Sequence, residues 1–279
     1  VIGGSYIGLE FGQMFSRLGS KVTIIEQGES IIAREDEETS KTIQHMLEEE
    51  GVDFWLGAEC VAAKKNGLDG IVAQIQCSRE GAVDIKGSHL LLAVGRRPNT
   101  TKLQLEKTGV RTVNDRLETN VKGIFALGDC NGKGAFTHTA YNDYEIIAEN
   151  KFEGKDRKVS DRITTYGLYV DPPLGRVGIT EKEARQKGLD VLIGHRPFSR
   201  IARAKEKGET KGYMSVVVSA KSKKILGATV LGVGGDEIIS GIVNIMYADS
   251  SYEVIRDSVQ AHPTVSELIP TVLETLKKL

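Results

Sequence analysis

The chain has 279 residues, a net charge of −1 at pH 7, 27 % charged and 40 % hydrophobic residues, which suits a globular protein too long for one small core and long enough for two domains. No basic excess points to nucleic acid or an acidic membrane surface, and no apolar run reaches membrane-spanning length. Three cysteines, Cys60, Cys77 and Cys130, at wide and unrelated spacings give neither a disulfide framework nor metal-ligand pairs, so reduced thiols in a cytoplasmic protein without a metal site are expected.

The opening stretch, VIGGSYIGLEFGQMFSRLGSKVTIIE, organises the rest. Val1 and Ile2 read as the end of a buried strand, and Gly3, Gly4 and Ser5 as a tight turn into a helix over residues 6–18 that is stopped by Gly19. Ile7, Phe11, Met14, Phe15 and Leu18 form the apolar face of that helix, and Gly8 lets it approach the strand closely. A second strand over 21–25 delivers Glu26 to the carboxyl edge of the sheet. The pattern is G-x-G-x-x-G with Ser5 in the second glycine position. Amide hydrogens at a helix start, with the positive end of the helix dipole, suit a pyrophosphate, and the Ser5 hydroxyl can donate to a phosphate oxygen. Gly3, Gly4, Ser5, Tyr6, Ile7 and Gly8 are therefore the expected dinucleotide-binding turn. A ligand-free glycine-rich turn is the competing reading; the preceding strand, the amphipathic helix and the acid on the next strand argue against it. Glu26 can accept hydrogen bonds from ribose hydroxyls and would repel a 2′-phosphate, which favours NAD over NADP.

Residues 30–50, rich in Glu and Lys, read as an exposed amphipathic helix with Ile43, Met46 and Leu47 as its stripe, its charge mostly a solvated face, ending at Gly51. A strand follows at 52–56. Segments 59–65, 71–78 and 82–86 resemble a small antiparallel meander with turns near Asn66-Gly67 and Glu80-Gly81. The apolar run at 89–94 reads as a strand buried on both faces of a parallel sheet, left at Gly95 close to a bound cofactor with Arg96 beside it.

From about residue 161 the character changes to a strand, a Pro-Pro break, and a helix with Thr180 as N-cap and Glu183 completing a capping box. A hairpin over 212–219 and 224–230 and helices over 235–248 and 251–257 follow, an α+β order. In the tail, a helix beginning near Thr264 places Glu267 one turn in, where its carboxylate can orient the His262 imidazole through the far nitrogen. A His-Pro helix start with Glu267 as a capping-region residue is the equal alternative at this level.

Four motifs in order, GGSYIGLE, AVGRRPN, TNVKGIFALGD and AHPTVSE, resemble those of the pyridine nucleotide–disulfide oxidoreductases, the two-dinucleotide flavoproteins of the dihydrolipoamide dehydrogenase and mercuric-reductase-like type. The resemblance implies an α/β architecture of three parts. A Rossmann-like NAD-binding domain, a parallel sheet plus the meander, covers 1–97; a remnant of an FAD-binding domain covers 98–158; and an α+β interface (dimerisation) domain covers 159–279. It implies FAD and NAD as cofactors, NADP less so, with Glu10 near the nicotinamide amide. It further implies a strand over 123–127 leading to Gly128 and Asp129, whose carboxylate meets the ribityl chain, and a helix start placing Thr137 near the isoalloxazine, with Cys130 as packing. His262 with Glu267 becomes an acid–base pair serving the flavin and dithiol of the partner in a homodimer. The chain opens inside a strand without a methionine and has neither the family's first glycine motif nor its Cys-x4-Cys pair. It is therefore expected to be a fragment, inactive alone, of an enzyme passing hydride from NADH to FAD and on to a disulfide or other small-molecule acceptor. A non-catalytic NAD-binding dimerising module or redox sensor is the alternative.

Overall fold

The computed structural model describes residues 1–67, 70–78 and 80–279. Both expected meander turns border positions outside that set. In chain order the elements are α1 (Tyr6–Arg17), β1 (Thr23–Glu26), α2 (Glu37–Glu49), β2 (Asp53–Leu56), β3 (Ala58–Asn66), β4 (Gly70–Cys77), β5 (Gly81–Gly87), α3 (Leu105–Thr108), α4 (Thr137–Phe152), β6 (Thr165–Leu168), β7 (Leu174–Gly178), α5 (Glu181–Gln186), β8 (Val191–Pro197), α6 (Ala202–Lys207), β9 (Tyr213–Ser219), β10 (Ile225–Leu231), α7 (Gly235–Tyr247), α8 (Glu253–Arg256), α9 (Ile269–Glu274) and β11 (Lys277–Lys278). They fall into two compact units, one of Val1–Gly95 with Thr165–Leu279 and one of Arg96–Thr164.

In the first unit β1 pairs in parallel with β2, and Ile2 bridges Ile25 on one side and Leu92 on the other. Strands β3, β4 and β5 make the antiparallel meander. Helix α1 packs on β1, and Gly8, Leu9, Gly12 and Gln13 are its buried residues. Ile7, Phe11, Met14, Phe15 and Leu18, the apolar face read from the sequence, are exposed. The reason is steric. A Cβ at Gly8 would lie 1.9 Å from the Gly3 carbonyl oxygen and one at Gly12 would lie 2.9 Å from Ile24 Cδ1, so the glycine face is the one that can come close.

The run at 89–94 also departs from expectation. Its backbone pairs with Ile2, through Ile2 N–H to the Leu91 carbonyl at 2.9 Å and Ala93 N–H to the Ile2 carbonyl at 2.8 Å, while Leu92 and Val94 stay 65 % and 69 % exposed. Alternate side chains of this edge segment face outward, so it is not covered on both faces.

The C-terminal sheet has six strands in the order β11-β8-β9-β10-β7-β6, antiparallel throughout. One face is closed by α7, where a Cβ on Gly175 would lie 2.1 Å from the Gly235 carbonyl oxygen. Across the strands, paired positions place Tyr166, Arg176, Thr229, Ser215 and His195 in one register row. Directly opposed residues share a face, so this row is polar from one strand to the next. The expected cap of α5 is present: the Thr180 hydroxyl accepts from Glu183 N–H and the Glu183 carboxylate from Thr180 N–H, each at 2.9 Å. In the tail, a single 3-10 turn (Ser266–Leu268) precedes α9, so the helix starts later than Thr264. Ile269, Val272 and Leu273 are buried, and α9 packs on β8 and β9 of its own sheet.

One apolar core joins the two halves of this unit. Leu9, Ile24, Ile43 and Leu47 from the first 50 residues pack with Leu168, Val170, Leu174 and Leu231. Each fully buried aliphatic side chain of this kind stabilises by about 1.5–3 kcal/mol.

The second unit holds α3 and α4. Its segment 123–127 is not a strand: Phe125 makes an isolated bridge with Glu118, and Val113 another with Thr119. With no longer ladder to join among the described residues, the arm remains a bridged turn. Helix α4 does begin at Thr137, with Phe136 as N-cap.

Candidate functional site

At the glycine turn, the first bond of α1 runs from Leu9 N–H to the Ser5 carbonyl at 3.0 Å, so the amides ahead of it lie at the open helix start. Ser5 is the N-cap in extended conformation, its hydroxyl makes no capping bond, and the residue is exposed. Gly3 has φ +108°, a left-handed value, and a Cβ there would lie 2.5 Å from the Ala93 carbonyl oxygen. Only glycine satisfies both conditions.

Glu26 closes the turn. Its Oε2 accepts from Gly4 N–H at 2.7 Å and its Oε1 from Gly28 N–H at 2.8 Å. The carboxylate therefore sits beside the turn, fixed by two backbone donors, and each oxygen keeps acceptor capacity. The Gly4 amide is turned to Glu26, leaving the later amides of the turn for an anion. Glu10, one helical turn on, accepts from Tyr169 N–H at 2.9 Å.

A second cluster was not legible beforehand. Residues 35–39, expected within a solvated face, meet the polar row of the C-terminal sheet. Glu35 is buried, its Oε1 accepting from the Tyr6 hydroxyl at 3.1 Å and the Tyr166 hydroxyl at 2.6 Å, while Oε2 lies 3.7 Å from Arg176 Nε. Asp36 accepts from Glu181 and Lys182 N–H, Glu38 meets His195 Nε2 at 2.9 Å, and Thr39 shares a 2.7 Å hydrogen bond with Tyr213. A cleft of about 670 Å³ runs along this segment, lined by Glu35, Asp36, Glu38, Lys182 and Tyr213 among others. Burial, then the Glu35 charge, raises the pKa of both tyrosines, that of Tyr166 to about 12, so both remain donors at neutral pH. The sequence signal was an acid run directly before a helix, indistinguishable in composition from a solvated one.

His262 and Glu267 come together as expected. His262 Nδ1 is 2.8 Å from Glu267 Oε2, with the imidazole exposed and the carboxylate largely covered. An ionised carboxylate only accepts, so Nδ1 carries the proton and Nε2 is the outward basic nitrogen.

In the second unit, Arg96 Nη2 lies 3.0 Å from Asp129 Oδ2 and 3.1 Å from the Ala135 carbonyl, joining two predicted cofactor residues. Gly128 N–H donates to Asp143 Oδ2 at 2.9 Å. Asp143, buried on α4, also accepts from Asn131 at 2.7 Å and pairs with Arg162, so it shapes the turn that carries Asp129. An isolated acid inside a helix gave no sequence cue to that task. Thr137 is exposed at the first position of α4. Cys130, expected to pack, is exposed, its thiol donating to the Leu127 carbonyl at 3.2 Å. Among the described residues no cluster of three His, Cys, Asp or Glu could hold a metal, and no helix is long and apolar enough to cross a membrane.

Residues 1–143 match the family described as pyridine nucleotide-disulphide oxidoreductase, and residues 164–273 its dimerisation domain. Among curated proteins, the chain is 34 % identical over 287 residues to the probable pyridine nucleotide-disulfide oxidoreductase RclA of Escherichia coli, covering 99 % of this chain and 63 % of that protein. It is also 34 % identical over 286 residues to the dihydrolipoyl dehydrogenase of Thermus scotoductus, covering 100 % of this chain and 61 % of that one. The solved structure of the HOCl-induced flavoprotein disulfide reductase RclA from Escherichia coli superposes with a TM-score of 0.89 at 32 % identity, over 98 % of this chain and 63 % of that chain. The chain thus spans less than two thirds of the length of these relatives.

Proposed function

Because the chain belongs to the pyridine nucleotide-disulphide oxidoreductase family, we propose that it forms the coenzyme-binding and dimerising part of an FAD-dependent NADH oxidoreductase acting on a disulfide or another small-molecule acceptor. When bound, nicotinamide and flavin supply the hydride-transfer chemistry; this chain's residues bind, orient and move protons around them.

In this reading the amides at the start of α1 and the Ser5 hydroxyl hold the pyrophosphate. Glu26 accepts from the ribose hydroxyls with the lone pairs that Gly4 and Gly28 leave open. Glu10 orients the nicotinamide amide. Gly95 gives backbone clearance, Arg96 steadies Asp129, Asp129 accepts from a ribityl hydroxyl, and Thr137 at the start of α4 lies at the flavin pyrimidine end. His262, held through Nδ1 by Glu267, takes and returns a proton at Nε2 across a homodimer interface.

The observation that carries the proposal is the pair of hydrogen bonds from Gly4 and Gly28 to Glu26, which fixes a carboxylate beside an open helix start. Isothermal titration tests it: NADH is expected to bind more tightly than NADPH, and Glu26→Ala to reduce that preference. Tighter NADPH binding by the unaltered protein would overturn the assignment of Glu26. The Cys-x4-Cys pair is absent from this sequence, whose cysteines are Cys60, Cys77 and Cys130.

A further inference from the structure

Tyr6 is the first residue of α1, at the point where the glycine turn becomes helix. Its hydroxyl ends on Glu35 Oε1 at 3.1 Å, the same oxygen that Tyr166 of β6 reaches at 2.6 Å, and the two rings meet edge to face with centroids 5.6 Å apart. The segment carrying Glu35 also grips the turn's backbone, Ile32 N–H donating to the Gly4 carbonyl at 2.9 Å. Behind Glu35 stands Arg176, 1 % exposed, with Nη1 bonded to Thr229 and Nε 3.7 Å from Glu35 Oε2. Glu35 Oε2 and Arg176 Nε and Nη2 are buried without a hydrogen-bond partner among the described residues. Moving the carboxylate would strand a buried guanidinium, a costly event. Glu35 is thereby pinned from the sheet side and offers Tyr6 a fixed acceptor.

We propose that Glu35 is a positioning residue for the glycine turn: acting through the Tyr6 hydroxyl, it sets the direction of the first turn of α1 from the polar row of the C-terminal sheet. The inference rests on the coenzyme reading of that turn for its functional consequence, because amides aimed at an anion lose effect when the helix start tilts. Its structural content stands without any ligand.

The experiment is amide hydrogen exchange across residues 9–12, the first bonded amides of α1, in the unliganded protein, followed by NADH titration, for the unaltered chain, Tyr6→Phe, Glu35→Gln, Glu35→Ala and the double variants. Losing a hydrogen bond to a charged group corresponds to an effect of about 10- to 150-fold. Tyr6→Phe is expected to speed exchange at the start of α1 by about that factor and to weaken NADH binding similarly, leaving β9 and β10 protected as before. Glu35→Gln, which keeps an acceptor oxygen, should do less. Tyr6→Phe added to Glu35→Ala should add much less than Tyr6→Phe does alone. A purely packing role would lower protection throughout the unit and give additive effects, and that result, or unchanged exchange in Tyr6→Phe, overturns the inference. If Glu35→Ala does not fold, Tyr6→Phe alone decides: protection lost at residues 9–12 with β9 and β10 unchanged supports the inference, and loss throughout the unit or no loss overturns it. If the unaltered protein binds no NADH, the proposed function fails on its own while the exchange data still decide the role of Glu35.

Discussion

Gly8 has no space for a methyl group. A Cβ there would sit 1.9 Å from the Gly3 carbonyl oxygen and 3.4 Å from Val1 Cγ1, both on the strand side of the turn. Two effects oppose each other in Gly8→Ala: alanine gains about 1 kcal/mol of helix propensity, and the clash forces α1 off the strand at a cost of about 2–3 kcal/mol. The clash wins because the obstacle is backbone, which cannot rotate away. Urea denaturation should show a lower midpoint for Gly8→Ala, and a raised midpoint would mean that α1 does not sit this close. The glycine pattern was legible in the sequence because backbone approach leaves a residue type behind. Glu35 was not, since its meaning depends on Tyr166 and Arg176, 131 residues away in the first case.

Elements were legible where their determinants are local. The α5 cap is written in four consecutive residues, Thr180 to Glu183, and both reciprocal bonds are present. Thr180→Ala is expected to cost about 1 kcal/mol, read as a fall in thermal midpoint, and an unchanged midpoint would count against the cap. Asp36 has a different standing. It is the N-cap position of α2 yet accepts from Glu181 and Lys182 N–H, so it serves the start of another helix. No local pattern encodes that. The same limit explains the apolar stripe of α1 and the run at 89–94. Periodicity locates an apolar face, whereas which face is covered depends on partners elsewhere in the fold. In α1 the small residues marked the contact. For 123–127, the apolar character of the segment suggested a strand, but a strand needs a neighbour to pair with, and Phe125 has a single bridge to Glu118.

Within the larger unit, two groups of polar contacts join the shared apolar core in tying the N-terminal half to the dimerisation-domain half. One is the segment 35–39 against the polar row; the other is the far end of α1. There Gln13 is buried and bonds both ways to Asp171, its Nε2 to the carbonyl at 2.9 Å and its Oε1 from the N–H at 2.7 Å. Arg17 forks onto Glu50 at 2.7 Å through both Nε and Nη2 and reaches Asp171 with Nη1 at 2.5 Å. The Arg17 hydrogen bonds hold the Glu50 carboxyl below its ordinary pKa of 4.5, against the opposing pull of partial burial. A carboxylate depressed in the folded state contributes stability that is fully present above its unfolded pKa and disappears as pH falls through the folded one. Glu50 should therefore contribute stability at neutral pH, holding the Arg17 side chain that reaches Asp171, and lose that contribution on acidification below 4.5. Glu50→Gln removes the titrating group while retaining an acceptor for Gln13 and Arg17. Urea midpoints measured from pH 7 downward should be lower for the variant at neutral pH, and the gap to the unaltered protein should narrow below about pH 4.5. Parallel curves across the whole range would mean that the Arg17–Glu50 fork carries no pH-linked part of the stability.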